Sequence, residues 1–357
     1  MLRRMECGSL RCGKVSEGCE GCIEGSKMVL LVTGRCGWGC DYCPVSLEKK
    51  GLDVVYANER RVRMDGEVIA EAEAMDARGT GITGGDPLID MGRTVHFIRL
   101  LKERFGPDHH IHLYTATMDV AKASALEEAG LDEIRFHPRE DLWSRMQDTC
   151  LKDIAGSVRM KVGIEVPALP GREKDLASLI AYAGSVGADF VNLNELEFSE
   201  SNWDMMEAHG YRVKDDVSSA VAGSEETARR AMKAAPRGIP VHFCSSAFKD
   251  GVQLRRRLTR RALHTAEPYQ QVTEDGTVVR GFARGDADAI VRRLGELNVP
   301  DELFSASGDL VEIAPWILEE VHAELGAKAW LSEQYPTADG LEVERTPLER
   351  GGPVRGF

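Results

Sequence analysis

The sequence lacks the long hydrophobic runs of a membrane protein. No apolar run approaches the ~20 residues that a transmembrane helix needs. The N-terminal stretch Met1–Cys7 has no apolar signal core, and the chain contains neither internal repeats nor low-complexity segments. These absences predict a cytoplasmic protein with no membrane partner.

An excess of basic charge is also absent. The 45 Lys and Arg residues stand against 58 Asp and Glu residues, which gives a formal net charge of −13. This acidic balance argues against broad, nonspecific nucleic-acid binding, although it does not exclude a local basic face. A hydrophobic content of 43% is ordinary for a soluble globular protein, and 357 residues are enough for one large domain plus a smaller one.

Cysteine, by contrast, is concentrated at one end of the chain. Seven of the nine cysteines lie within the first 43 residues, which points to metal binding rather than disulfides. Cys36, Cys40 and Cys43 have the spacing C-x3-C-x2-C and follow an apolar, strand-like run at 28–34. Three close thiolates leave one iron of a [4Fe–4S] cube without a protein ligand, so that iron can bind another molecule. A zinc site is the alternative, but it would favour C-x2-C pairs and a fourth ligand.

A second motif, Gly84-Gly85-Asp86-Pro87, closes the next strand-like run at 79–83. On its own this segment predicts only a turn. Its place at a strand end, about forty residues after the cysteines, makes it more specific.

With these two motifs the chain resembles the radical S-adenosylmethionine (SAM) superfamily. The signature of that family is C-x3-C-x-aromatic-C, and Tyr42 supplies the aromatic residue. The resemblance implies that the three cysteines hold a [4Fe–4S] cluster whose open iron binds SAM. One electron from a donor such as ferredoxin or flavodoxin would cleave SAM, and the 5′-deoxyadenosyl radical would abstract hydrogen from a substrate. The resemblance also implies that backbone carbonyls of the Gly-Gly-Asp-Pro segment receive the SAM ammonium, with Asp86 in place of the family's Glu.

Further candidate SAM ligands stand at the ends of later predicted strands, where hydroxyl, imidazole, carboxylate and amide groups suit the ribose and methionine groups of SAM. The complete set of predicted cofactor-binding residues is Tyr42, Gly84, Gly85, Asp86, Pro87, Thr115, His137, Glu165 and Asn194. Any single member can equally be a structural polar group.

Strand and helix patterns alternate from residue 28 to about 246, which predicts a parallel sheet covered by helices. The predicted strands are 28–34, 79–83, 110–115, 132–136, 160–166, 189–194 and 240–244. We therefore expect an α/β fold, a partial (βα)6–7 TIM-like barrel with its site at the C-terminal strand ends. Residues 1–27 are expected to form a Cys-rich extension, 28–246 the barrel, and 247–357 a small α+β domain that recognises substrate.

The other cysteines allow more than one interpretation. Cys7, Cys12, Cys19 and Cys22 form a tentative second metal site, either a zinc knuckle or an auxiliary iron–sulfur cluster, and the first two can instead be free thiols. Cys244, at the end of the last barrel strand, is either a ligand or substrate contact or a buried small hydrophobe.

The substrate stays open between RNA, a protein or peptide, and a small molecule. A predicted helix at 248–263 carries Arg255, Arg256, Arg257, Arg260 and Arg261, which can be a solvated face or a phosphate-contacting one. The whole chain resembles archaeal radical SAM proteins related to pyruvate formate-lyase activating enzyme, an analogy that does not set the substrate. An iron–sulfur electron-transfer or regulatory module is the non-enzymatic alternative.

Overall fold

The computed structural model describes residues 2–216, 218–236 and 238–349. The chain forms two compact units. The first contains the residues up to 254 apart from 74–76, and the second contains 74–76 and the residues from 255 onward. No helix in the described ranges is both long enough and apolar enough to cross a membrane.

The first unit is a sheet of parallel strands that alternate with helices. Its strands are β1 (Arg3–Arg4), β2 (Leu10–Cys12), β3 (Lys27–Leu31), β4 (Val55–Ala57), β5 (Arg60–Val62), β6 (Gly79–Thr83), β7 (His110–Thr115), β8 (Glu133–Phe136), β9 (Lys161–Pro167), β10 (Phe190–Asn194) and β11 (Val241–Cys244). Its helices are α1 (Glu17–Ile23), α2 (Asp65–Ala74), α3 (Met91–Phe105), α4 (Val120–Ala129), α5 (Leu151–Ser157), α6 (Glu173–Ser185), α7 (Trp203–Ala208), α8 (Ser224–Ala234) and α9 (Ser246–Phe248).

Seven strands, β3 and β6 to β11, lie side by side in chain order and are all parallel. The seven strands predicted from the sequence are thereby confirmed. Short antiparallel strands that the pattern did not predict extend both edges, with β4 and β5 beside β3, and β2 and β1 beside β11. The C-terminal ends of the seven parallel strands consequently share one edge of the sheet.

The N-terminal segment belongs to this sheet and is not seen as a separate extension. β2 pairs antiparallel with β11, and Arg11 lies opposite His242. α1 lies against one face of the sheet, where an ideal Cβ on Gly18 would be 2.5 Å from Nη2 of Arg135 and 2.7 Å from Oε1 of Glu133. Only a glycine fits this approach. The predicted boundaries at 27/28 and 246/247 stay predictions.

The two faces of the parallel sheet differ in polarity. Successive residues of a strand point to opposite faces, so the buried Phe136 and Leu193 lie on one face while Arg135 and Asn192 lie on the other. We call the second face the polar face; its residues are Lys27, His110, His112, Glu133, Arg135, Glu165, Asn192 and His242. Parallel sheets are usually apolar on both faces, so the enclosed charges of the polar face need partners within the protein.

Arg135 is the central charge of the polar face. Its side chain is 2% exposed, and its guanidinium donates to Glu133 (Nε to Oε1, 2.6 Å), Glu165 (Nη1 to Oε2, 2.8 Å) and the Tyr114 hydroxyl (2.8 Å). It also donates to the hydroxyl of Ser16, the N-cap of α1 (3.1 Å). One cation therefore joins β7, β8, β9 and the N-terminal helix.

The second unit is an antiparallel sheet with helices. Its elements are α10 (Arg255–Thr265), β12 (Gln271–Val272), β13 (Val278–Arg284), α11 (Ala287–Glu296), β14 (Phe304–Ser307), β15 (Leu310–Ile313), α12 (Pro315–Val321), β16 (Lys328–Gln334) and β17 (Glu342–Leu348). The strand order is β14-β15-β13-β16-β17, with β12 paired to β13. Leu294 of α11 and Leu318 of α12 pack with Ile313 and Leu331 in its core. The sequence pattern predicted a single helix at 248–263, but the chain there forms α9, a π-helical turn at Lys249–Leu254, and α10.

We expect Arg135→Met to lower the free energy of unfolding by about 3–5 kcal/mol, because it leaves the carboxylates of Glu133 and Glu165 enclosed without their cation. Arg145→Met is the matched control. Arg145 pairs with Asp141 and both side chains are about half exposed, so its loss should cost less than about 1 kcal/mol. Urea unfolding of the full chain, followed by circular dichroism, measures both. Equal losses in the two variants would contradict the role given to Arg135.

Candidate active site

A cavity of about 630 Å³ lies at the C-terminal ends of the parallel strands. Its wall is built from the loop after β3 and from the ends of β6, β7, β8, β9 and β10. Of the residues predicted from the sequence, those that line it are Cys36, Cys40, Cys43, Tyr42, Gly84, Gly85, Thr115, His137, Glu165 and Asn194. The structure therefore brings residues that span 158 positions of the sequence (36 to 194) to one cavity.

The cysteine loop, residues 35–43, is exposed in its first half and partly buried in its second. Cys36 is exposed, whereas Cys40 and Cys43 are of intermediate exposure. Burial raises the pKa of the Cys40 thiol above its usual value. All three thiols border the cavity, although no three His, Cys, Asp or Glu side chains in the described residues form a ready metal-binding group.

The Gly-Gly-Asp-Pro segment lies directly against the cysteine loop. The backbone N–H of Gly85 donates to the carbonyl of Thr33 (2.8 Å), and that of Asp86 donates to the carbonyl of Arg35 (2.9 Å). An ideal Cβ on Gly85 would overlap the carbonyl oxygen of Arg35 and lie 2.7 Å from that of Gly34. A glycine is thus required at position 85, because the backbone of this segment packs directly on the backbone of Gly34 and Arg35. The sequence pattern did not reveal this requirement.

Asp86 and Pro87 do not line the cavity; Asp86 is completely buried behind it. The carboxylate of Asp86 accepts hydrogen bonds at Oδ1 from the Leu88 N–H (3.0 Å) and the Thr115 hydroxyl (2.7 Å). At Oδ2 it accepts from the Thr117 hydroxyl (2.7 Å) and the Trp38 indole N–H (2.8 Å). Asp86 therefore connects the segment to the end of β7 and to the cysteine loop.

Tyr42 and His137 join the cysteine loop to the end of β8. Nδ1 of His137 lies 2.8 Å from the Glu165 carbonyl, which only accepts, so Nδ1 carries the proton. Burial lowers the pKa of His137, which keeps the ring neutral and leaves Nε2 to accept from the Tyr42 hydroxyl (3.1 Å). The aromatic residue of the cysteine motif is thus held in one position.

Glu165 presents a fixed carboxylate to the cavity. Oε1 accepts from the Asn194 amide (2.8 Å), and Oε2 accepts from Asn192 (2.9 Å) and Arg135 (2.8 Å). Burial by itself would raise the pKa of Glu165, but the charge of Arg135 and the two amide donors hold it below the usual value. The carboxylate is consequently ionised at neutral pH.

Lys249 and Glu197 form an ion pair of 2.8 Å in the wall of the same cavity. Burial opposes the charge on Lys249, but the Glu197 carboxylate raises the pKa of the ammonium above its usual value. Lys249 begins the π-helical turn that follows α9, and such turns are frequent at functional sites. The sequence pattern placed Lys249 in the predicted helix 248–263. Its position five residues after the end of β11 was the signal that could have placed it in the cavity wall.

The segment between β10 and α8 holds the second half of the cysteine loop. The Ser201 hydroxyl donates to the carbonyl of Cys43 (3.1 Å), and the Asn202 amide donates to the carbonyl of Tyr42 (3.1 Å). His209 lies 2.9 Å from the carboxylate of Asp41. None of these contacts was predicted from the sequence, because they join residues more than 150 positions apart.

The four N-terminal cysteines are distributed over three elements. Cys7 is exposed in a 3₁₀ turn, Cys12 ends β2, and Cys19 and Cys22 lie on α1. Sγ of Cys19 accepts from the Asn192 amide (3.2 Å) on the polar face, and burial raises the pKa of Cys22 to about 12. The structure does not gather these four thiols, and the second metal site stays a prediction.

Cys244 lies outside the cavity lining. It is buried against Phe248 and Val252, and its Sγ accepts from the Gln253 amide (3.5 Å). This environment is that of a small buried hydrophobe, one of the two interpretations that the sequence allowed.

The arginine helix, α10, is engaged within the second unit. Arg260 forms an ion pair with Asp76 and donates to the Asp76 carbonyl (2.9 Å), and Arg261 donates to the Pro336 carbonyl. These two guanidiniums already have acceptors.

Two family models match the chain. The model described as the radical SAM superfamily matches residues 30–138, which contain both motifs. A model described as a domain of unknown function (DUF8061) matches residues 276–348, within the second unit.

Among curated proteins, the chain is 40% identical over 351 residues to the "Putative glycyl-radical enzyme activating enzyme MJ0021" of Methanocaldococcus jannaschii. That alignment covers 94% of this chain and 93% of the relative. A solved structure, coproporphyrinogen III oxidase (HemN) of Escherichia coli, whose title calls it a radical SAM enzyme, covers 94% of this chain and 76% of its own. It is 10% identical with a TM-score of 0.26, a likeness that supports no conclusion.

The radical SAM model covers the cavity residues up to His137, and the curated relative is 40% identical over nearly the whole of both chains. The cofactors of this chemistry are a [4Fe–4S] cluster and SAM, and reductive cleavage of SAM supplies the 5′-deoxyadenosyl radical that takes hydrogen from a substrate. The chain therefore belongs to the radical SAM superfamily and is a radical SAM enzyme related to the activating enzymes of glycyl-radical proteins.

Proposed function

We propose that Cys36, Cys40 and Cys43 hold the [4Fe–4S] cluster and that SAM lies between them and the strand ends, in a parallel sheet curved as a partial barrel. The proposal is supported by the composition of the wall, which combines the three thiols with Gly84, Gly85 and the ends of β7 to β10. The volume of about 630 Å³ is within the range of small-ligand sites.

The residues present fit these two groups. Three thiolates match the ligand count of a cluster with one open iron. An ideal Cβ on Gly37 or Gly39 would meet nothing within 4 Å, so the loop has free space around it for a bulky cluster. The fixed carboxylate of Glu165 and the Asn194 amide supply the acceptor and the donor that a ribose or an amino-acid group can use.

The protein's own residues orient these groups and limit water. Tyr42 and His137 hold the aromatic wall next to Cys43, and Arg135 fixes the carboxylate of Glu165 through a bond that solvent does not reach. Burial of Asp86 and of the polar face keeps the strand ends rigid. This preorganised surface orients the cofactor and excludes side reactions of a radical.

We infer that the substrate is a protein that presents an extended segment to the cavity, with a glycine as the site of hydrogen abstraction. The related protein of M. jannaschii is named for an action on a glycyl-radical enzyme. The cavity can take SAM and a short chain segment but not a folded domain. Its lining includes the exposed apolar side chains of Trp38 and Met205, which suit contact with a protein.

The observation that carries this inference is the Lys249–Glu197 pair. A peptide group presents one donor, N–H, and one acceptor, C=O. The Lys249 ammonium can donate to such a carbonyl while the neighbouring Glu197 carboxylate accepts from an N–H. A pair of this kind in the cavity wall would hold a substrate segment through its backbone groups alone. A glycine site requires this, because glycine has no side chain to bind.

The remaining assignments of this proposal are a cytoplasmic location, a ferredoxin or flavodoxin as the electron donor, and a role for the residues after 246 in docking the protein substrate. RNA is less well supported, because Arg260 and Arg261 are held by acceptors within the second unit. Cys19 and Cys22 remain the members of the second metal site that we favour, because they share one helix.

Cys40→Ala should abolish 5′-deoxyadenosine release from SAM and dithionite in the anaerobically reconstituted enzyme, because two thiolates do not complete the ligand set. Cys150→Ala is the matched control, since Cys150 is exposed and lies outside the cavity. Mass spectrometry of released 5′-deoxyadenosine measures both. Unchanged release by Cys40→Ala would show that the cysteine loop does not hold the catalytic cluster.

Gly85→Ala should lower the rate of SAM cleavage about tenfold and reduce the iron bound per chain, since the new Cβ displaces the backbone of Arg35. Gly37→Ala is the control. It adds a methyl group to the cysteine loop itself, at a position where nothing lies within 4 Å of the new Cβ, and should change the rate less than about twofold. Iron analysis and 5′-deoxyadenosine release distinguish the two. If both variants behave alike, the close approach at Gly85 has no functional role.

Lys249→Met should lower hydrogen transfer from substrate about tenfold while SAM cleavage without substrate persists. The substrate probe is the protein fraction of cells grown on [α-²H₂]glycine, with the RNA and small-molecule fractions tested in parallel, and the readout is deuterium in 5′-deoxyadenosine. Lys50→Met is the control, because Lys50 also lines the cavity but donates only to the Ser201 carbonyl (3.3 Å). Deuterium transfer from another fraction alone would contradict a protein substrate.

A further inference from the structure

The stretch between the first two ligand cysteines has little to fix it in place. Gly37 and Gly39 flank Trp38, and residues 35–39 are all exposed. Gly39 has a φ of +63°, and neither glycine would bring a Cβ within 4 Å of any neighbour. Glycine carries the largest conformational freedom of any residue, so ordering this stretch around a cluster is entropically costly unless a side chain holds it.

The side chain that joins this stretch to the strand ends is the indole of Trp38. Its Nε1–H donates to Oδ2 of Asp86 at 2.8 Å, whereas the backbone N–H of Trp38 points to Sγ of Cys36 (3.5 Å). Asp86 is 0% exposed, so the acceptor is itself immobile. The same residue holds the start of the loop, because the Asp86 N–H donates to the carbonyl of Arg35.

The acceptor capacity of Asp86 is filled by the protein. A carboxylate offers about four lone-pair directions, and four donors occupy them, from Trp38, Leu88, Thr115 and Thr117. This carboxylate is consequently an anchor for the loop and for the end of β7, and it has no direction left for a cationic ligand.

We propose that the Trp38–Asp86 hydrogen bond is the contact that sets the position of the loop between Cys36 and Cys40 relative to the SAM-binding strand ends. Trp38 and Asp86 are positioning residues. Through them, the cysteine loop keeps a fixed position relative to Gly84 and Gly85, which lie against it. This inference rests on the cluster and SAM sites of the proposed function, and it does not depend on which substrate the enzyme takes.

The first test is Trp38→Phe, which keeps an aromatic ring and removes the N–H. In the reconstituted holoenzyme we expect a SAM dissociation constant about tenfold higher, or less iron per chain, because a hydrogen bond to a charged group is lost. The metal-free protein should stay folded with a lower free energy of unfolding, because the buried Asp86 carboxylate loses one of its four donors. Trp316→Phe is the control: Trp316 is 41% exposed as a residue against 36% for Trp38, and it lies in the second unit. Unchanged SAM affinity and iron content in Trp38→Phe overturn the proposal.

The second test needs neither cluster nor activity. The five tryptophans give five indole N–H signals in the ¹⁵N-labelled metal-free protein, and the single variants assign those of Trp38 and Trp316. Since the two tryptophan residues are similarly exposed, a difference between their indole N–H exchange rates reports the hydrogen bond to Asp86. We expect the Trp38 indole N–H to exchange at least about tenfold more slowly than that of Trp316. Equal exchange rates would show that the loop is not anchored in this way, and would overturn the proposal even if Trp38→Phe failed to fold.

Discussion

The enclosed guanidinium of Arg135 is the interaction on which the rest of the first unit depends. A parallel sheet with one polar face must satisfy its buried charges internally, and Arg135 does so for Glu133 and Glu165 together. The same group reaches the hydroxyl of Ser16 and so fixes the N-terminal helix against that face. Because Glu165 borders the cavity, the charge that stabilises the fold also sets the ionisation of the site.

The site itself depends on how closely two backbones approach. Gly85 allows the Gly-Gly-Asp-Pro segment to lie against the cysteine loop, and Asp86 then binds that loop through both its backbone and its side chain. Ser201 and Asn202 hold the far side of the loop. This exposed, glycine-rich loop, to which we assign the cluster, is thus held by residues that are themselves buried or hydrogen-bonded.

The family determines the chemistry of the cofactors, while the contacts that we propose for the substrate lie outside the family motifs. The radical SAM model ends at residue 138, before Glu165, Glu197 and Lys249. These three residues line the cavity together with the cysteine loop. A donor and an acceptor held side by side suit a backbone segment, which agrees with kinship to an activating enzyme.

The sequence by itself located the three cysteines that we propose as cluster ligands, the glycine segment, the seven parallel strands and the edge of the sheet at which they meet. These features are local, since they depend on spacing and on hydrophobic periodicity within a few residues. Tertiary structure alone decided the antiparallel pairing of β2 with β11 and the place of Lys249 in the cavity. It also decided that Trp38 and two threonines donate hydrogen bonds to the Asp86 carboxylate. It also placed Arg260 and Arg261 against acceptors, where the sequence had allowed a free basic face. The physical reason is the same in each case: the partners are brought together by folding from distant parts of the chain, and no local pattern records which donor will meet which acceptor.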